Sequence, residues 1–460
     1  MAIRFDYSHA LAAGVAKRDL TALKKDLRQV RKQLQADRAA GRLGFADLPG
    51  DAGMLRAVKK AAAAYSHEDV HSVVILGIGG SALGFIALKE ALMHPQHNQL
   101  AALCGHRTFY VLDNVDPELV AGVLDVIDPR TTLVNVITKS GSTAETIGQF
   151  LIFFDLFAKK LGSRAAAVKH FLFTTDPAKG PLRALAEKEG FATLPVPPAV
   201  GGRFSIFTPV GLFPAALAGM DIKALLQGAG DALQTSLYGL ADASPALLGA
   251  GLHYLHYRQG RVMAVMMPYS NALFRVADWF RQLWAESLGK AVDLSGKPVH
   301  VGPTPVAALG ATDQHSQVQL YAEGPDDKFY TFLRVERLRR KLPYPASPWK
   351  DGAFTYFKGH SMYDLFDAEA EATRFALSEV GRPCATITLP RIDEDALGRL
   401  LMHLEVQTAA AGRLFGIDAF DQPGVEAGKR YAFGLLGRAG YEAEAAKVRR
   451  AAGKQIVVEG

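Results

Sequence analysis

Apolar residues change their spacing along the chain, and the changes mark out its architecture. Near the start, Leu20, Leu23, Leu27, Val30 and Leu34 recur at steps of three and four, with Lys, Arg, Gln and Asp between them. That spacing predicts an amphipathic helix with one packed and one solvated face. Its basic face also fits an arm for nucleic acid, although no aromatic residues interleave with the charges. The runs then become short and β-branched. Val73-Val-Ile-Leu76, Phe109-Tyr-Val-Leu112, Leu133-Val-Asn-Val-Ile137 and Phe171-Leu-Phe-Thr174 predict strands, with helices over about Ala82–Leu92 and Ala144–Phe157. The pattern restarts with a helix around Pro245–Tyr257, a strand over Arg261–Met267 and a long helix over Asn271–Leu288. Strands follow at Phe329–Val335 and Ala385–Leu389, the proline-rich Leu342–Trp349 reads as a loop, and helical runs flank a break at Gly412–Gly428.

Strands alternating with helices predict parallel sheets, whose ligands sit beyond the carboxyl ends of the strands. The predicted class is therefore α/β, with two domains and helical extensions at both ends. The expected division is an N-terminal helical extension over 1–55, a first domain over 56–235, a second over 236–405 and a C-terminal helical segment over 406–460.

With 49% hydrophobic and 21% charged residues, wholesale disorder and fibrous repeats are excluded. The net charge of +6 fits nucleic acid, a membrane surface or a small anionic substrate. Two cysteines, Cys104 and Cys384, are too few for a disulfide framework or a thiolate metal site, and they point to a reducing compartment. The charge-free stretches Ser72–Leu88 and Phe204–Met220 are broken by glycine or proline and fall short of the ~20 apolar residues of a spanning helix. Each reads instead as a strand–turn–helix core. The N-terminus lacks the apolar run of a secretory signal. A soluble, cytoplasmic chain with neither nucleic-acid nor membrane partner is expected.

Chemistry concentrates at a few turns. Gly77-Ile-Gly-Gly-Ser-Ala-Leu-Gly84 ends a strand in glycines at a helix start, where backbone N–H groups meet an anion and Ser81 adds a hydroxyl. It lacks the Gly-Lys-Ser/Thr ending of a nucleotide loop. It half-matches a dinucleotide turn, with Asp113 as a ribose-binding acid. Thr138-Lys-Ser-Gly-Ser-Thr143 crowds four hydroxyls and a lysine into a second turn. A helix cap needs one hydroxyl, whereas a phosphate uses several donors. Gly201-Gly-Arg-Phe-Ser205 places Arg203 in apolar sequence, as a surface arginine or as a guanidinium held for developing negative charge. On Asn271–Leu288, Arg275, Asp278, Gln282 and Glu286 make one polar stripe, either solvated or functional. Glu286 lies at the unfavourable end of the helix dipole for a carboxylate, a position that suits a general base. His253 and His256 lie three apart, but no third metal ligand accompanies them.

Five segments in this order resemble the glucose-6-phosphate (phosphoglucose) isomerase family, compact bacterial type, over about Tyr65 to Ala432. They are Gly77-Ile-Gly-Gly-Ser81, Gly201-Gly-Arg-Phe-Ser205, Glu286-Ser-Leu-Gly-Lys290, Gln314-His315 and Gly424-Val-Glu-Ala-Gly-Lys429. The resemblance implies two sugar-isomerase domains, each a parallel sheet sandwiched by helices. It also implies interconversion of glucose 6-phosphate and fructose 6-phosphate with no metal or organic cofactor. By the same resemblance Glu286 is the base that moves a proton between C2 and C1 through a cis-enediol. His315 opens the ring, Lys429 assists near the ring oxygen and Arg203 faces the enediolate. Gly80, Ser81, Thr138, Lys139, Ser140, Ser142 and Thr143 hold the phosphate, while Gln282 and Gln422 orient the sugar. A homodimer with shared active sites is implied, the His315 segment reaching the partner. Two positions depart from the common pattern: the turn Thr138–Thr143 replaces Ser-Lys-Thr-Phe-Thr-Thr, and Leu288 replaces an Asn. The other readings are a non-catalytic sugar-phosphate-binding regulator and a dinucleotide-dependent oxidoreductase.

Overall fold

A computed structural model describes residues 3–65, 69–349, 352–452 and 458. Met1 and Ala2, the start of the expected N-terminal extension, lie outside it. Residues Met1–Ala419 form one unit and Phe420–Gly460 another.

The first unit is built on two sheets. In the first, β2 (Ser72–Leu76), β3 (Thr108–Leu112), β4 (Thr132–Ile137), β5 (Phe171–Thr175) and β6 (Ala192–Pro195) run parallel in the order β3-β2-β4-β5-β6. β2, β4 and β5 are buried along their whole length, as expected of strands covered by helices on both faces. Phe150, Phe153 and Phe157 on the helix Ala144–Lys160 pack against Phe171 and Phe173.

The second sheet has the order β1-β12-β11-β7-β10. Its strands are β1 (Arg4–Asp6), β7 (Met263–Pro268), β10 (Thr304–Ala307), β11 (Lys328–Arg337) and β12 (Cys384–Arg391). All neighbours are parallel except β1, which pairs antiparallel with β12. β8 (Lys290–Val292) and β9 (Pro298–Val301) form a separate antiparallel pair.

The amphipathic helix spans Lys17–Ala39 and buries Leu23, Leu27, Val30 and Leu34, so the packing reading holds. Two expectations need correction. The N-terminal segment is not wholly helical, because β1 extends the second sheet; three residues are too few to show a period of two. Phe204–Met220 contains no strand: a short helical turn leads into Pro209–Leu217, a helix apolar on all sides because it is buried on all sides.

The helix Asn271–Leu288, which follows β7, packs against Leu83–Leu92, which follows β2. This contact brings residues attached to the two sheets into one place. Among the described residues, no helix is long and apolar enough to cross a membrane.

Candidate active site

β2 and β4 are adjacent and parallel, with Leu76 level with Val136, so the turns that follow them emerge side by side. The first turn is shaped by glycine. Gly79 has φ 55°, in the left-handed region, and a Cβ there would lie 2.9 Å from Gln282 Nε2. A Cβ on Gly80 would sit 2.2 Å from the carbonyl of Gly202. Bare backbone is therefore what lets this turn touch the Gly201–Ser205 segment. Ser205 Oγ fastens the contact by donating to the carbonyls of Gly80 (3.1 Å) and Gly202 (2.6 Å). Ser81 is half-buried at the rim.

In the second turn the hydroxyls bond to one another. Thr138 Oγ1 lies 2.8 Å from Thr143 Oγ1 and 3.4 Å from Ser140 Oγ, and Ser142 donates to Ser140 from both its N–H and its hydroxyl. Thr143 is the N-cap of Ala144–Lys160, yet no side chain caps that helix. The hydroxyl cluster is thus not a cap, and the helix start keeps its donors for an anion. Gly141 has φ 67°, and a Cβ would lie 3.1 Å from Leu182, so the backbone there suits glycine. Lys139 Nζ donates to the carbonyls of Pro198 (2.7 Å) and Val200 (2.8 Å), leaving one of its three donors. Burial pushes the ammonium below its ordinary value of 10.5, with nearby Asp176 opposing the shift.

Gly201 leads from Val200 into Arg203, whose side chain is 1% exposed. Arg203 Nε donates to Ser287 Oγ (2.7 Å), Nη2 to the Ala419 carbonyl (2.6 Å) and Nη1 to Glu286 Oε2 (3.3 Å). Glu286 Oε1 accepts from Gln282 Nε2 at 3.0 Å, and the Glu286 side chain stays 31% exposed. Lys290 Nζ donates to the Glu286 backbone carbonyl at 2.6 Å, placing a cation at the helix C-terminus. The polar stripe therefore divides. Asp278 is buried between Arg275 and Arg281 in structural ion pairs, whereas Gln282 lies against Gly79 of the first turn and Glu286 meets Arg203. Leu288 is fully buried, so it packs the core and presents nothing to the cleft.

The cleft thus combines Gly80, Arg203, Gln282 and Glu286, with the Thr138–Thr143 turn joined to it through Lys139. A permanently charged, buried guanidinium beside an accessible carboxylate can stabilise negative charge where the carboxylate removes a proton. The roles of Ser287 and Lys290 were not read from the sequence. Ser287 is wholly buried directly after Glu286, and a hydroxyl there signals a polar partner. The Ala419 carbonyl leaves no side-chain signal.

His315 is exposed at the end of Thr312–His315, and its ring has no hydrogen-bond or ion-pair partner among the described residues. Gln314 anchors that segment through Tyr269 (2.6 Å) and Thr373 (2.6 Å). In the Phe420–Gly460 unit, Lys429 is exposed and pairs with Glu426 at 2.8 Å, and Gln422 precedes the short turn Pro423–Val425. His253 and His256 are core residues packed at a tilt against Phe329, and burial depresses them to about 3 and about 4. Among the described residues, no group of three or more His, Cys, Asp or Glu is placed to hold a metal ion.

The fold is α/β, two helix-flanked and mainly parallel sheets with the cleft beyond the ends of their strands. Comparison narrows the class. The family model for phosphoglucose isomerase matches residues 55–332 and 370–446. The chain is 44% identical to a glucose-6-phosphate isomerase of Carboxydothermus hydrogenoformans over 96% of each. A crystal structure of a hypothetical protein from Thermus thermophilus superposes with TM-score 0.85 at 41% identity, covering 95% of this chain and all of that one. A glucose-6-phosphate isomerase of Chlamydia trachomatis shares the fold, with TM-score 0.80 at 24% identity over 95% of this chain and 90% of that one. The chain belongs to the phosphoglucose isomerase family.

Proposed function

We infer that the protein interconverts glucose 6-phosphate and fructose 6-phosphate by an intramolecular proton transfer. The observation that carries this is the Glu286 carboxylate held between Gln282 and the buried Arg203. Glu286 takes the proton from C2 of the open-chain aldose and returns it to C1. Between the two steps the substrate is a cis-enediol, whose oxygen develops charge facing Arg203. The turns carrying Gly80, Ser81 and Thr138–Thr143 take the phosphate, and Gln282 and Gln422 orient the sugar. His315, supplied by the partner subunit of a homodimer, opens the ring, and Lys429 assists at the ring oxygen. The steps are proton transfers between side chains and substrate, and they call on no metal or organic cofactor. Residues 56–235 and 236–405 act as the two sugar-isomerase domains, between the segments 1–55 and 406–460. The setting is the cytoplasm, where the reaction serves glycolysis and gluconeogenesis.

A sugar-phosphate regulator would need the phosphate turns but not a buried guanidinium bonded to a carboxylate. An oxidoreductase would rest on the first glycine turn alone. An assay that supplies fructose 6-phosphate and couples any glucose 6-phosphate to a reporter reaction tests the reading. Saturable formation of glucose 6-phosphate is expected. Binding of fructose 6-phosphate with no product would overturn isomerisation in favour of the regulator.

A further inference from the structure

The two sheets share a chain path. In the first, β2 has β3 on one side and β4 on the other, so the path reverses between β2 and β4. In the second, β7 has β10 on one side and β11 on the other, with β12 beyond β11 as β5 lies beyond β4. Crevices outside the carboxyl ends of strands at such a reversal are where open α/β sheets hold ligands. In the first sheet that crevice holds the two phosphate-suited turns. In the second it holds a cavity of about 340 Å³, near the lower end of the roughly 300–1,000 Å³ usual for small-molecule sites.

Its walls come from the positions that the path predicts. Ser270 and Ala272 follow β7, Arg337 and Arg339 lie at and just beyond the end of β11, and Arg391 ends β12. Three arginines thus line one opening. Arg339 is fixed by the neutral carbonyls of Ala91 (2.6 Å) and Met93 (3.4 Å), which leave its positive charge in place. Arg391 shares its charge with one carboxylate, Asp393. Buried Ser270 is the N-cap of Asn271–Leu288 yet makes no side-chain capping bond. Guanidinium forks match the paired oxygens of phosphate, and the size of the cavity suits a metabolite. None of these residues takes part in the proton transfer assigned to Glu286, although the helix that starts here carries that residue in its last turn.

We propose that this crevice is a second anion site, which binds a small phosphate monoester independently of the catalytic cleft. The test is equilibrium dialysis of the full chain against radiolabelled glucose 6-phosphate, counting equivalents bound at saturation. The wild type binds two per chain. Arg337→Ser combined with Arg391→Ser leaves one, and Lys139→Ala combined with Ser140→Ala leaves the other. Ala272→Leu, which fills the cavity without removing a charge, also leaves one and stands in should the arginine variant fail to fold. A single equivalent in the wild type, or two in both the arginine and the Ala272→Leu variants, overturns the proposal. The count does not depend on turnover, so it stands apart from the isomerase reading.

Discussion

Arg203 is held by bonds to a side chain, a backbone carbonyl and the carboxylate it faces, and the first two fix its direction before any substrate arrives. Ser287 is the removable anchor. A hydrogen bond to a charged group contributes about 1.5–3 kcal/mol, so Ser287→Ala lowers kcat by roughly tenfold or more. KM moves little, because the bond positions a charge used in the reaction and not in binding; steady-state kinetics separate the two. Lys139 gives a pH prediction. Its lowered value means that its charge is lost at a lower pH than an exposed lysine's. KM for fructose 6-phosphate therefore rises on the alkaline side, before pH 10.5 is reached, while Lys139→Arg, charged throughout, flattens that limb. A KM–pH profile of both proteins checks it. Glu286 and Arg203 were legible because each stands in a short motif of unusual composition. Ser287 stood in the same motif, but its partner lies 84 residues away, and sequence spacing cannot show such a contact.

Elements were readable where their period was long or their residues were buried throughout. Asn271–Leu288 was legible at both ends, and the interior strands β2, β4 and β5 stood out as β-branched or aromatic runs. β6, β8, β9 and β10 were not foreseen, since three or four residues carry no clear period. The long helix Glu394–Phe415 was seen only in part, because it is buried nearly throughout and so lacks a polar face. It packs against Ile222–Tyr238 at glycines: a Cβ on Gly398 would lie 2.0 Å from the Leu225 carbonyl oxygen. Gly398→Ala should cost about 1–3 kcal/mol of stability through overpacking, read as a lowered melting temperature. The same helix carries Glu405, fully buried with neither carboxylate oxygen hydrogen-bonded among the described residues. Burial raises its carboxyl well above the ordinary 4.5. Below pH 4.5 the neutral form prevails in the folded and unfolded chains alike. As pH rises further, the unfolded chain releases the proton that the folded chain keeps, and stability falls. Glu405→Met should therefore raise stability at pH 8 by about 1–3 kcal/mol, with a smaller gain near pH 4.5. Urea unfolding at the two pH values measures the difference.

At the scale of the molecule, the α/β class and the two-sheet plan were legible because strand and helix patterns alternate, then restart. The matching path of the two sheets was not, since strand order depends on pairings that sequence does not print. The packing of Asn271–Leu288 on Leu83–Leu92 was equally hidden, yet it sets Gln282, the hydrogen-bond partner of Glu286, beside the glycine turn of the other sheet. The proposed homodimer with shared sites has its own test. Homodimers of His315→Ala and of Glu286→Gln should each be inactive. Mixed and allowed to exchange subunits, they should recover roughly a quarter of wild-type activity, because half the dimers are hybrids with one intact site. No recovery after exchange would place His315 in the same subunit's site. The central claim is that Glu286 moves the proton, and exchange into solvent tests it most directly. Wild-type and Glu286→Gln proteins would be incubated with glucose 6-phosphate in D₂O, with deuterium at C2 followed by NMR and sugar-phosphate affinity measured alongside. Exchange in the variant should fall by about 10²–10⁴-fold while affinity stays near that of the wild type. Near-normal exchange in Glu286→Gln would contradict the account.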